Sequence, residues 1–222
     1  MISLFVRARS FSRISLRRAS LALAFPGMSG KILLMRLIGQ VCLGLLLTLG
    51  LFAQDTPAFK FDAPAMKESV FKTGLGLLDR ERDEYATSLA TFAANYVVIH
   101  KANKMSLDFA RRALGLAMHL SSRNRKMMVL KHQLGKGIMP QKVVSEYSPK
   151  TLAALFVARA ETLFEQKGDP NILLARALID VAATVDPLNE DAVYAYELQK
   201  IDYGELDWKQ FTEVTATGGS GH

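Results

Sequence analysis

Cysteine is almost missing from this chain. The single copy, Cys42, stands inside an apolar run, and none follows it. Beyond residue 53 there is therefore neither a disulfide framework nor thiol chemistry. Acid is missing from the opening stretch, where residues 1–53 hold seven Lys and Arg and no Asp or Glu. Seven of the chain's 28 basic residues lie there and none of its 21 acids, so residues 54–222 carry 21 of each sign. The formal charge of +7 belongs to the N-terminus, and a neutral remainder has no electrostatic reason to seek nucleic acid.

Catalytic signatures are missing too. None of His100, His119, His132 and His222 stands three or four residues from another, so no helical metal pair exists. There is no GxSxG, HExxH or phosphate loop, and Gly135-Lys136-Gly137 reads as a helix stop. Nothing pairs Glu161, Glu165 and Asp169 into an acid–base set. Met105, Met118, Met127 and Met128 read as core filling. No catalytic, cofactor-binding or metal residue is assigned, no cofactor is expected, and the chain reads as a non-enzyme.

What is present begins with Leu37 to Ala53, seventeen residues without charge behind Lys31 and Arg36. A basic start, an apolar centre and the small Ala53 fit a cleaved export signal over residues 28–53. A span near the lower limit for crossing a bilayer also fits an uncleaved anchor. Either way the later residues are expected outside the cytoplasm, periplasmic or extracellular. Residues 1–27, with Arg7, Arg9, Arg13, Arg17 and Arg18 among serines, read as a basic extension or as sequence upstream of a true start at Met28. Their composition also suits an organellar transit peptide. Residues 54–64, holding Pro57 and Pro64, read as a linker.

Residues 65–204 are expected to be almost wholly helical. Phe71, Leu75, Leu78, Tyr85, Leu89, Phe92, Tyr96 and Ile99 follow helical spacing, interrupted by Arg82 and weakened by Gly74 and Gly76. Asp79 to Glu84 reads as a solvated charged face. Ser106 is the expected cap of a second helix through Leu120, and a third runs from about Arg123 to Leu134. Ser148-Pro149 opens a fourth. Asn171 is expected to cap a fifth, and Asn189 a sixth with Val193, Tyr194 and Leu198. Leu206, Trp208 and Phe211 predict a short capping helix over the last pair within residues 205–222, and Thr215 to His222 a flexible end.

Shifting the sequence by 65 residues superposes Ala110-Arg111 on Ala175-Arg176, Ala117 on Ala182 and Asn124 on Asn189 without a gap. Helix pairs that repeat, each with an apolar face, must stack to bury it. The run Ala175 to Asn189, with small Ala175 and Ala182, bulky Ile179 and Pro187, resembles the tetratricopeptide repeat family, and Gly168-Asp169 resembles its turn. Ser122 departs from the expected proline, Glu161 stands where a small residue packs, and the period is longer than the family's. The resemblance implies an all-α fold of antiparallel helix pairs stacked as a short right-handed solenoid. It also implies a scaffold that binds a protein or peptide partner in the cell envelope. The open alternatives are a membrane-anchored accessory subunit and an enzyme whose site no motif betrays. Capture by a neutral surface is expected to change little with moderate salt.

Overall fold

The computed structural model describes residues 58–71 and 75–214. The expected signal or anchor and the expected flexible end, residues 215–222, lie outside the described residues. Within them the fold is all-helical, without strand. Its helices are α1 (Asp79–Ile99), α2 (Lys104–Leu120), α3 (Arg125–Gly135), α4 (Pro149–Gln166), α5 (Asp169–Val185), α6 (Glu190–Tyr203) and the short α7 (Lys209–Thr212). None of these is long and apolar enough to cross a membrane.

The 65-residue repeat is visible in the helix ends. Both ends of α2 recur in α5 at that spacing, and the start of α3 recurs in the start of α6. The caps recur as well. Asn124 accepts the N–H of Met127 at 3.0 Å, and Asn189 that of Ala192 at 3.0 Å. Each side chain satisfies a donor that the first helical turn leaves free.

Two tight pairs form the core, α1 against α2 and α4 against α5. Alanine makes their closeness feasible: Ala86, Ala93, Ala110, Ala113 and Ala117 in the first pair, and Ala153, Ala160, Ala175 and Ala182 in the second, are fully buried. The seam residue of α4 is Ala160, and Glu161 is exposed beside it. Tyr85 of α1 meets Phe156 of α4 edge-on at 5.5 Å, and burial pushes its phenol up from the usual value. Glu81 of α1 binds Arg159 of α4 at 3.1 Å, and Arg112 of α2 binds Asp180 of α5 at 3.1 Å.

Several local expectations are corrected by tertiary contacts. The described residues before Asp79, 58–71 and 75–78, form a non-helical strap despite their apolar spacing. It spends its backbone groups on distant partners: Ala58 N–H on the Gly137 carbonyl, Ala65 N–H on that of Thr212, and Gly76 N–H on Asn171 Oδ1. Glycine lowers helix propensity here, and these bonds replace the helical ones. Asn171 is thus a clamp on the strap; α5 opens at Asp169 with Gly168 in its cap position. Asn103, rather than Ser106, caps α2, and Ser106 is buried and donates to the Asn103 carbonyl. Arg82 stays out of the core by donating to the carbonyls of Leu120 and His119. Asp83 accepts from Ser121 and Asn124, so the charged run from Asp79 to Glu84 is more than a solvated face.

The C-terminal tail goes somewhere unexpected. Gly204, at φ +74, turns the chain out of α6, and α7 packs on α2 of the first pair. The outer side of α6 is left uncovered. Gly115 makes the docking feasible, because a Cβ there would stand 2.6 Å from the Phe211 carbonyl oxygen. Gly115→Ala gains helix propensity but pushes on backbone that cannot swing aside. We expect a net destabilisation of about 2 kcal/mol, read as a lowered melting temperature together with a changed Trp208 fluorescence.

Candidate functional site

Three places concentrate polar chemistry or open space. The first surrounds His119, near the end of α2. Its side chain is 3% exposed and lies edge-on to Phe71 and Phe211. Nδ1 accepts the Val70 N–H at 3.1 Å, which places the ring proton on Nε2, a buried atom that faces the Phe211 backbone without a well-formed hydrogen bond. Burial lowers the pKa of the ring to about 4, against a smaller opposing effect from the Phe211 backbone. A neutral imidazole sealed under two rings, holding the strap with one nitrogen, is a structural latch.

The second is the Asp180 cluster. Asp180 accepts from Arg112 at 3.1 Å and from Trp208 Nε1 at 3.1 Å, with the Arg112 guanidinium 5.5 Å above the Trp208 ring. Burial raises the carboxyl above its usual range, and the Trp208 and Arg112 contacts pull it back. Asp180 stands 65 residues after Gly115. The two equivalent positions serve the same tail, one by hydrogen bonding and one by leaving space. All the polar ends are committed to one another, which marks a tie between α2, α5 and the tail.

The third is a groove of about 680 Å³ between α4 and α6, with α5 beneath. Val157, Ile172, Ile179, Ala195 and Leu198 give it an apolar lining, and Phe164 stacks on Tyr203 at 6.1 Å at its border. Glu161, Asp191, Asp202 and Lys167 are the charged residues along it. The apolar residues of α6 face outward: Tyr194 is 70% and Ile201 81% exposed, while Ala192 and Gln199 are buried. The Gln199 side chain borders the groove. Its Nε2 donates to the Arg176 carbonyl at 3.4 Å and its Oε1 has no partner.

No residue was expected to be catalytic or to bind a metal, and among the described residues no three His, Cys, Asp or Glu gather in a metal-binding group. Glu161 borders the groove, and Glu165 and Asp169 are exposed without converging on it. Met118 and Met127 fill core, whereas Met105 and Met128 are exposed. The groove was missed in the sequence because Val193, Tyr194 and Leu198 keep helical spacing whether they face core or solvent. The missing signal was the tail's route, which decides whether α6 is covered. The chain matches no protein family, and no curated protein or solved structure is similar to it.

Proposed function

We propose that this is an exported, non-catalytic scaffold that binds a segment of another protein in the α4–α6 groove. In this reading the helix pairs stack as a short right-handed tetratricopeptide-like solenoid. The signal or anchor segment at residues 28–53 directs the domain to the cell envelope, by cleavage or as an anchor. The observation that carries the reading is the open apolar groove between α4 and α6. The perturbed groups point the same way, because His119, Asp180 and Tyr85 are locked in packing contacts away from it, whereas a catalytic cleft gathers such groups.

Site-specific photocrosslinking tests the reading. A photoreactive residue in place of Tyr194 is expected to capture a protein in intact cells, and one in place of exposed Lys126 on α3 is not. Leu198→Asp, on a 43% exposed position, is expected to leave the fold intact and to reduce capture at least tenfold, since it places a charge in the apolar contact. Capture of nucleic acid, or turnover of a substrate abolished by one point substitution, would overturn the scaffold reading.

A further inference from the structure

The 65-residue repeat sets the α4–α6 groove beside an internal counterpart. A groove of about 460 Å³ lies between α1 and α3, and its lining residues Lys126, Val129, Leu130 and Gln133 correspond to Asp191, Tyr194, Ala195 and Leu198 in the second groove. One edge of the first groove is closed by a non-helical stretch of this chain. The connector from α3 to α4 runs along it without helix or strand, and Pro140, Gln141 and Val143 form its third wall. Asn95 holds that connector by its backbone, donating from Nδ2 to the Val143 carbonyl at 2.9 Å and accepting the Val143 N–H at 2.8 Å. A side-chain amide that pairs with both main-chain groups of one residue reads backbone without regard to side chain.

The second groove lacks this third wall. After α6 the chain turns at Gly204, whose carbonyl accepts from Arg176 at 2.7 Å, and continues to Trp208 on the α2–α5 side. Charge distinguishes the two grooves. Arg125 and Lys126 border the first, whereas Glu161, Asp191 and Asp202 outnumber Lys167 along the second.

We infer that the α4–α6 groove takes a non-helical segment of another protein, apolar and carrying at least one Lys or Arg, which closes its open edge as Pro140, Gln141 and Val143 close that of the first groove. This inference rests on the scaffold reading above and narrows it. It also revises the salt expectation. Neutrality of residues 54–222 as a whole conceals an acidic border, so capture of a basic segment weakens as salt rises.

The probe is a fluorescein-labelled peptide of the sequence Ile138–Ser145, IMPQKVVS, added to the purified full chain in detergent and followed by fluorescence anisotropy. The tethered copy of this sequence keeps the first groove at high effective concentration, so added peptide reports the second. The Lys142→Glu peptide is expected to bind about tenfold more weakly, because attraction to several carboxylates becomes repulsion. Leu198→Asp in the protein is expected to abolish binding of both. The double variant Asp191→Lys with Asp202→Lys is expected to reverse the preference between the peptides. Equal binding of the two peptides, still abolished by Leu198→Asp, would overturn the basic occupant and leave the groove as a binding site. Failure of both peptides to bind a chain that sediments as a dimer, with the dimer lost in Leu198→Asp, would assign the groove to a second copy and overturn the inference. Failure of both with a monomeric chain would overturn the inference and the scaffold reading together.

Discussion

Ala175→Asp, or Ala182→Asp, is expected to leave the chain without its folded domain. Both alanines are fully buried on α5 at the seam with α4. The packing there is set by residues with no side chain beyond Cβ, so a carboxylate meets two problems at once. It needs volume that the seam lacks, which costs about 1–3 kcal/mol. It also needs solvation or a partner, and unpaired ionised groups in such places cost several kcal/mol more, even when the group protonates to escape. A total of about 5 kcal/mol is comparable to the whole stability of a typical domain. Far-UV circular dichroism is expected to show loss of helix. Ala154→Asp, on the exposed side of α4, is the control expected to melt within about 0.5 kcal/mol of the parent. A seam variant that melts with the parent would mean that α4 and α5 do not pack as described.

Acid is expected to loosen the domain through His119. An unfolded chain protonates this histidine near 6.5, whereas the folded ring holds out to about 4. Between these values the unfolded state binds the extra proton, so stability is complete above about pH 6.5 and falls as pH drops toward 4. A gap of this size is worth about 3 kcal/mol, undiscounted because the side chain is 3% exposed. Asp180 works in the opposite sense. Its raised folded pKa favours the folded state as the carboxyl protonates, so the raw profile mixes the two. The informative measurement is the difference between the parent and His119→Asn, which keeps a side-chain acceptor for the Val70 N–H without a titrating group. Denaturant unfolding across pH 4 to 6.5 is expected to show the slope in the parent and its loss in the variant. An equal slope in both would assign the acid sensitivity elsewhere.

Helix positions were legible where the signal was local. Asn189 announces its helix because a cap needs only its own next three residues, whereas Asn124, placed inside a helix expected from about Arg123, is that helix's cap. The alanines of α2 and α5 announce close packing because no other side chain tolerates it. Failures occurred where a partner far along the chain decided the outcome. Phe71, Leu75 and Leu78 keep helical spacing, yet His119, Thr212 and Asn171 claim the backbone of that segment. Asn95 carries no motif, and only the folded connector reveals it as a backbone clamp. Trp208 and Phe211 were read as a cap over the last pair, but Asp180 of α5 and Gly115 of α2 hold them on the α2–α5 side, and the α4–α6 groove remains open.

The meeting of strap and tail on α2 has a consequence for the order in which the domain completes itself. Stacked repeats ordinarily form by neighbour contacts, so an early unit can be finished while later ones are still being made. Here the Ala65 N–H is bonded to the Thr212 carbonyl, and Phe71, His119 and Phe211 share one cluster of rings. The first unit therefore lacks its roof until the last described turn of helix has arrived. Strap and tail close on each other across the intervening helices, and contacts of such long sequence separation form slowly. Until α7 docks, the faces of Phe71 and His119 that meet Phe211 are bare.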